Sequence, residues 1–312
     1  MPIRSEINGR NANIRKIYAS PDGKNRKVKL AYIEREGKNA LVWAEQGTPQ
    51  NPYRIRTASN FWHIRDDLSA CYRLEADVPY LSDDPPGTEA APFTGELDGN
   101  GYTVDASRGR AMFGANAGYI HDVKVKQTQF SKVEQSPLVQ LNTVFGVIER
   151  CYSQIGELEY EESKAAGIVF ENRGTVQDCK AHLQFGGKGK YAGIAFINQG
   201  TIRRCYSHIG DVDYKPDGIQ CTHIAWNNQR LFSYCFAATG LYYYYFPEGS
   251  SFGKQVDIPD YELVSEGVPP NWGNCKLVPR DNNNLPGSFP GLDFDKVWTI
   301  GRGSLLNQGC PM

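Results

Sequence analysis

The dominant pattern along the chain is a short apolar segment that recurs every 26–30 residues and ends in a small residue. Segments 166–179, 192–205 and 222–235 align without gaps, and each ends in a cysteine. With the earlier equivalents Val123 and Cys151, these end positions are 28, 28, 26 and 30 residues apart. Repeats of this length, with β-branched segments between Gly/Asn turns, predict a solenoid in which each repeat is one coil of a parallel β-helix.

The repeat also predicts where side chains lie within a coil. Four of them, Ile168, Phe170, Val176 and Cys179, should point inward, with their equivalents stacked on them one coil later, about 4.8 Å away. The recurring asparagines should form an amide ladder before the turn, and the glycines after them should supply its left-handed φ. The asparagines are Asn116, Asn172, Asn198 and Asn228, and the glycines are Gly118, Gly146, Gly174 and Gly200.

A different repeat lies in residues 1–46, which carry a formal charge of +5 against −6 for the remainder. Segments 17–28 and 31–42 match at six positions, and each reads as strand, turn and strand. Two hairpins of this size bury little surface, so we expect them to dock on a partner; the alternative is a solvated basic arm. The candidate attachment residues are Tyr18, Lys24, Arg26, Tyr32, Lys38 and Trp43.

The segment from Lys16 to Trp43 resembles repeats found in tail proteins of Gram-positive phages and tailocins, although Glu34 and Arg35 depart from the family pattern. The resemblance implies that residues 1–46 attach to other tail or baseplate proteins. It also implies a place in a virion or tailocin particle that is assembled in the bacterial cytoplasm and then released.

The remaining chain, residues 48–312, resembles GLUG-repeat β-helix proteins. The resemblance rests on the segment 93–104, which reads FTGELDGNGYTV, and on the strand 293–300, which reads DFDKVWTI. It implies an all-β fold, a right-handed parallel β-helix. Phe61, Ile64 and Leu68 put one apolar stripe on a short helix, which we expect to cap the N-terminal end of the solenoid.

The composition argues against several classes of function. The 312 residues include 34 Lys and Arg against 35 Asp and Glu, which argues against a general nucleic-acid binder. The longest apolar run has six residues, so membrane insertion is not expected. Eight cysteines without a CxxC pair, and five histidines without ligand spacing, predict neither a metal site nor a cofactor. The cysteines at repeat spacing predict a reduced, buried ladder, which suits assembly in a reducing cytosol.

Two sets of side chains are candidates for function. Acidic residues alternate along matching segments two repeats apart, where paired carboxylates could act as acid and base; a solvated face produced by the repeat is the alternative. These acids are Glu157, Glu159, Asp211 and Asp213. Rings expected to point outward suggest a sugar-binding face, against ordinary surface residues or a core strand as alternatives. They are Tyr152, His182, Tyr206, His208, Tyr242, Tyr243, Tyr244 and Tyr245.

Three functional hypotheses follow from these patterns. The first is a non-enzymatic tail-fibre or receptor-binding component that recognises a bacterial cell-surface glycan or protein. The second is a tailspike-like polysaccharide depolymerase, and the third is a purely structural baseplate or tail subunit. Related fibres are often trimers, so a homotrimer is possible, although no heptad pattern enforces one.

Overall fold

A computed structural model describes the greater part of the chain and divides it into two compact units, Met1–Tyr53 and Arg54–Met312. The described residues are 18–19, 26–27, 30–35, 38–44, 47–79, 84–106, 111–127, 134–156, 163–184, 189–209, 219–230, 232–239, 242–245, 254–257, 264–267, 275–279, 287, 289–301 and 304–307.

The first unit contains two antiparallel strand pairs. Strand β1 (Tyr18–Ala19) pairs with β2 (Arg26–Lys27), and β3 (Leu30–Arg35) pairs with β4 (Lys38–Ala44). These pairs lie where the matching segments 17–28 and 31–42 predict hairpins. Five of the six candidate attachment residues belong to these strands, while Lys24 lies outside the described residues. Their role in attachment stays a prediction.

A short strand and a helical segment open the solenoid. Strand β5 (Tyr53–Ile55) is followed by α1 (Ala58–Trp62) and a 3₁₀ turn (His63–Asp66). The side chain of Thr57 caps α1 by accepting a hydrogen bond from the Asn60 amide, 3.2 Å away. Phe61 and Ile64 are fully buried, and the Phe61 ring lies 5.9 Å from that of Phe113. The predicted helix near the N-terminus of the solenoid is therefore present. In the described part of the chain, no helix is long and apolar enough to cross a membrane.

The remaining strands follow in chain order. They are β6 (Cys71–Leu74), β7 (Glu96–Asp98), β8 (Thr103–Asp105), β9 (Phe113–Asn116), β10 (Tyr119–His121), β11 (Lys124–Gln127), β12 (Glu134–Gln135), β13 (Val139–Asn142), β14 (Val147–Glu149), β15 (Tyr152–Ile155), β16 (Ser163–Ala166), β17 (Val169–Asn172), β18 (Thr175–Gln177), β19 (Lys180–Leu183), β20 (Gly189–Ala192), β21 (Ala195–Asn198), β22 (Thr201–Arg203), β23 (Tyr206–Ile209), β24 (Ile219–Thr222), β25 (Ala225–Asn228), β26 (Phe236–Thr239), β27 (Tyr242–Tyr245), β28 (Lys254–Asp257), β29 (Val264–Gly267), β30 (Lys276–Pro279), β31 (Trp298–Gly301) and β32 (Ser304–Asn307).

These strands stack into four sheets along the solenoid. The first sheet has the order β5-β6-β7-β10-β14-β18-β22, and the second has β8-β11-β15-β19-β23-β26-β30. The third has β9-β13-β17-β21-β25-β29, and the fourth has β12-β16-β20-β24. From β6 onward their neighbours pair in parallel, whereas β27 with β28 and β31 with β32 form antiparallel pairs. The fold is a parallel β-solenoid of about five turns, as the repeat predicts.

A ladder of thiols lines the interior of the coils. Cys151, Cys179, Cys205 and Cys235 are unpaired and fully buried, and Cys275 extends the set. Burial raises the pKa of the Cys179 and Cys235 thiols. Burial would also raise the pKa of Cys205 between them, but hydrogen bonds from these two thiols lower it to about 5. The predicted reduced ladder is confirmed for these residues.

The predicted buried positions within a coil are confirmed. Ile168, Val176 and Cys179 are fully buried, and Phe170 is buried in a cluster with Ala166 and Ala192. The rings of Phe170, Phe196 and Trp226 stack with centroids 5.1 and 5.8 Å apart, and the Lys190 ammonium lies over Trp226. This aromatic stack belongs to one buried cluster.

The predicted asparagine ladder is confirmed, with one additional member, Asn142. Each amide Nδ2 donates to the Oδ1 of the asparagine in the next coil at 2.8–2.9 Å. The ladder runs through Asn116, Asn142, Asn172, Asn198 and Asn228, all fully buried. Sequence comparison missed Asn142 because Val144 and Phe145 lengthen its turn by two residues.

The turn glycines have a different role from the one predicted. Left-handed φ values occur in the described turns at the residue before the cysteine position, as in Arg150 (49°) and Asp178 (53°), and not at the glycines of the repeat. The glycines are needed because stacked turns approach closely. A Cβ on Gly174 would lie 2.3 Å from the Gly146 carbonyl oxygen, and one on Gly200 would lie 2.2 Å from that of Gly174. The prediction of their positive φ is wrong.

The ladder yields the first testable prediction. Asn172→Ala removes one donor and one acceptor from the middle of the buried ladder and breaks the bonds to Asn142 and Asn198. We expect the free energy of unfolding to fall by about 1–3 kcal/mol, the usual contribution of two hydrogen bonds. Chemical denaturation followed by circular dichroism measures it. The control is Asn227→Ala, a partly exposed residue at the neighbouring position of β25; an equal loss in both variants would contradict a specific role for the ladder.

Candidate functional site

The predicted aromatic face is only partly present. His182 and His208 are half-buried, and their rings stack with centroids 4.7 Å apart. Tyr152 and Tyr206 are buried, so the prediction that they are exposed is wrong. Tyr242–Tyr245 form β27, which pairs with β28, but their side chains lie outside the described residues. The acids Glu157, Glu159, Asp211 and Asp213 also lie outside the described residues, so a catalytic role for them stays a prediction.

Tyr206 is buried because a distant segment of the chain packs over it. The ring of Phe289 makes edge contacts with Tyr206 at 6.0 Å and with Phe236 at 5.5 Å. Trp298, which is fully buried in the same cluster, directs its indole Nε1 toward Asp178 Oδ1 at 3.4 Å. Residues 289–298 thus seal a face that strand alternation alone would leave open to solvent.

A buried cation lies between the two tyrosines. Lys180 is 2% exposed, and its Nζ lies 5.5 Å from the Tyr152 ring centroid and 5.7 Å from that of Tyr206. The ring faces favour the charged amine, yet burial lowers the pKa of Lys180 to about 7. These rings therefore contact a cation of the chain itself rather than an external ligand.

The side chains that lie together and reach solvent belong to the outer face of the first sheet. Successive strands place six polar side chains in register, which we call the polar row: Arg73, Asp98, His121, Glu149, Gln177 and Arg203. The apolar residues beside them, such as Ile120 and Ile148, are fully buried, so alternation directs the row outward.

Neighbouring members of the polar row bind one another. Gln177 donates its Nε2 to Glu149 Oε1 at 2.7 Å, and Arg203 donates its Nε to Gln177 Oε1 at 2.7 Å. At the other end, Arg73 Nε lies 3.3 Å from Asp98 Oδ2. These bonds hold planar hydrogen-bonding groups in fixed orientations before any ligand arrives.

His121 is the centre of a denser cluster within this row. Its Nδ1 lies 2.6 Å from Asp122 Oδ2, its Nε2 lies 3.1 Å from Glu96 Oε1, and the Tyr119 ring stacks on it at 4.3 Å. Burial alone would lower the pKa of His121, but hydrogen bonds to Asp122 and Glu96 outweigh it and raise that pKa. The imidazole is therefore fixed on both nitrogens by carboxylates.

The acids of the cluster are held in their charged forms. Arg150 donates from Nε and Nη2 to Asp122 at 2.8 and 2.7 Å, and its Nη1 lies 2.8 Å from Glu149 Oε2. Burial would raise the pKa of Asp122, but the bonds from His121 and Arg150 lower it to about 2. Glu149 also accepts a hydrogen bond from the Tyr119 hydroxyl, and its pKa is lowered against the effect of burial.

A thiol borders the cluster without acting as a nucleophile. Cys71 Sγ lies 3.8 Å from Glu96 Oε2. Burial, and then the charge of Glu96, raise the pKa of Cys71, so the sulfur stays protonated near neutral pH. The arrangement does not supply the activated thiolate that covalent catalysis by cysteine needs.

Three side chains of this cluster could hold a metal ion. Asp98, His121 and Asp122 each offer one ligand atom, and these atoms lie within 4.8 Å of one another. Spacing along the chain missed this set because Asp98 lies in the preceding coil. The aligned repeats did indicate that some of these side chains form one row. Each occurs two residues before the cysteine position of its repeat: His121, Glu149, Gln177 and Arg203.

No protein-family model matches the chain, and no curated protein matches it. Among solved structures, the chain is similar to a putative immunoglobulin A1 protease from Bacteroides ovatus, with 16% identity and a TM-score of 0.53. The match covers 84% of this chain and 94% of that one. At this identity the likeness shows the fold alone, which is a β-solenoid.

The buried lysine gives a pH-dependent prediction. Its pKa in the folded chain lies below its unfolded value, so between pH 7 and 9 the unfolded chain binds more protons and stability rises with pH. Relative to Lys180→Met, the wild-type free energy of unfolding should rise by about 1.4 kcal/mol per pH unit across that window. Urea denaturation at pH 7, 8 and 9 measures it. In the control Lys164→Met, at an exposed lysine, the free energy of unfolding should depend on pH as it does in wild type. If Lys180→Met also showed the wild-type pH dependence, the lowered pKa of Lys180 would be refuted.

Proposed function

We propose that this chain is a non-enzymatic receptor-binding component of a phage tail or tailocin, and that it recognises a bacterial cell-surface glycan or protein. The observation that carries the proposal is the polar row, an outer face on which planar polar side chains repeat coil after coil and hold one another in place.

The chemistry of the row suits a surface polymer. Carboxylate, amide and guanidinium groups offer paired hydrogen-bonding atoms, which match adjacent hydroxyls of a sugar or the peptide groups of a protein. The stacked rings of Tyr119 and His121 add a flat edge beside them. Because Gln177 and Arg203 are already ordered by their mutual bond, binding costs less side-chain entropy.

The repeat geometry also suits a particle. A stiff solenoid presents similar contacts at regular intervals, so that weak binding by single coils accumulates over a polymer and over several copies of the chain. The basic first unit would attach it to tail or baseplate proteins, which is supported by the resemblance of residues 16–43 and by the antiparallel strand pairs found there. Assembly as a homotrimer belongs to the same proposal.

The test of recognition uses a panel of purified Gram-positive cell-wall glycans and whole cell walls. We expect saturable binding, weakened about tenfold or more by Arg203→Ala and Gln177→Ala, which remove linked members of the row. Lys164→Ala, which removes a cation from the fourth sheet, is the matched control and should bind as wild type does. His182→Ala and His208→Ala examine the partly exposed pair separately.

The same incubations separate the two other hypotheses. Oligosaccharide release that Glu159→Gln or Asp213→Asn abolishes would replace the proposal with a depolymerase. Absence of both binding and release, in a chain that still enters particles, would leave a structural subunit.

Attachment through the first unit is tested by deleting residues 1–46. We expect the truncated chain to be absent from purified particles while a fold of coils remains measurable by circular dichroism. Normal incorporation of the truncated chain would refute attachment through this unit and leave glycan recognition untouched.

A further inference from the structure

We propose that Asp98, His121 and Asp122 form a binding site for a divalent transition-metal ion of the Zn²⁺ class, a site that does not depend on the receptor-binding role. One imidazole nitrogen and two carboxylate oxygens are ligands that Zn²⁺ takes in proteins, and three protein ligands leave a fourth position for water or another group.

The geometry brings the ligands within reach of one ion. Their donor atoms lie within 4.8 Å of one another, and His121 Nδ1 lies 2.6 Å from Asp122 Oδ2. Ligands around one Zn²⁺ ion are roughly 3.3 Å apart for bonds near 2 Å. The set therefore needs only small rotations of half-buried side chains. Parallel pairing of β7 with β10 fixes the relation between Asp98 and His121, which come from successive coils.

A carboxylate behind the imidazole separates this set from a chance group of acids. Glu96 Oε1 lies 3.1 Å from His121 Nε2, the nitrogen that faces away from Asp122. A metal-ligating histidine usually donates its second N–H to such a carboxylate, which fixes the tautomer and makes the ligating nitrogen more basic. With the proton on Nε2, the Nδ1 lone pair is directed toward Asp122 Oδ2. Asp98 is oriented as well, because its Oδ1 accepts the Asn100 amide at 2.8 Å.

The charge of the cluster favours a divalent cation. Four carboxylates, those of Glu96, Asp98, Asp122 and Glu149, face two guanidinium groups, those of Arg73 and Arg150. With His121 neutral, the set carries −2, which one divalent ion balances.

Arg150 is the competitor of the metal. Its Nη2 bonds the same Asp122 Oδ2 that faces His121, whereas its Nε bonds Oδ1. An ion at Asp122 Oδ2 would replace the bond from Arg150 Nη2 and leave the bond from Nε to Oδ1 in place. This gives the proposal an unusual signature: removing a side chain of the cluster should strengthen binding.

The experiment is isothermal titration of the metal-free full chain with Zn²⁺, with Ca²⁺ as a cation that prefers oxygen ligands. We expect one Zn²⁺ per chain and no comparable binding of Ca²⁺. His121→Ala should abolish binding, Asp98→Asn should weaken it, and Glu96→Gln should weaken it about 10–100-fold. Arg150→Gln should tighten it, an outcome that a folding defect cannot produce.

Two controls keep the result specific. His63 and Asp66 form an exposed pair with Nδ1 and Oδ2 2.8 Å apart, so His63→Ala tests whether any His–Asp pair suffices; it should bind Zn²⁺ as wild type does. Substitution with Co²⁺ should give a spectrum without a thiolate charge-transfer band, which excludes binding at the cysteines. Unchanged Zn²⁺ affinity in His121→Ala, a thiolate band, or no binding below about 1 mM would overturn the proposal.

Discussion

The solenoid depends on the parallel, in-register pairing of successive coils. Strands about 4.8 Å apart place each residue directly over its equivalent in the next coil. The side chain at every position must therefore pack against the side chain of that equivalent residue. Asparagine meets this constraint through an amide that is both donor and acceptor, which lets Asn142 bond Asn116 on one side and Asn172 on the other. Glycine meets it by the absence of a side chain where the turns at Gly146 and Gly174 approach closely.

The same constraint governs charge. Like charges stacked along a row would repel, and two rows of the first sheet and its turns avoid this by varying the residue from coil to coil. At the left-handed residue before the cysteine position, acidic and basic residues alternate from coil to coil. Arg150 forms a bidentate pair with Asp122, and Arg204 forms one with Asp178. The polar row follows the same rule. Its mixture of acid, imidazole, amide and guanidinium groups is therefore a consequence of stacking as much as a surface available for recognition.

The sequence predicts well those features that depend on contacts between adjacent repeats. The coil length, the inward Ile168 and Cys179, and the asparagine ladder all depend on equivalent residues one coil away. Predictions failed where another level of structure intervenes. Tyr206 faces outward by alternation but is covered by Phe289, which lies 83 residues later in the chain and has no repeat partner. The His121 cluster was missed because its ligands are neighbours across coils, and spacing within a single segment does not contain that contact.

The electrostatics of the described cluster hold its titratable groups in fixed protonation states. A general acid or base must exchange a proton near the working pH, yet Asp122 is held at a pKa of about 2 by two donors and the Cys71 thiol is kept protonated. Glu149 is engaged by Tyr119, Arg150 and Gln177. Groups bound so fully to one another keep their orientation but exchange protons poorly. A metal ion would alter this balance, because it would take the place of one arginine bond at Asp122 and leave an open coordination position at the surface. The same residues would then offer a directed contact to a ligand oxygen, without requiring any of them to transfer a proton.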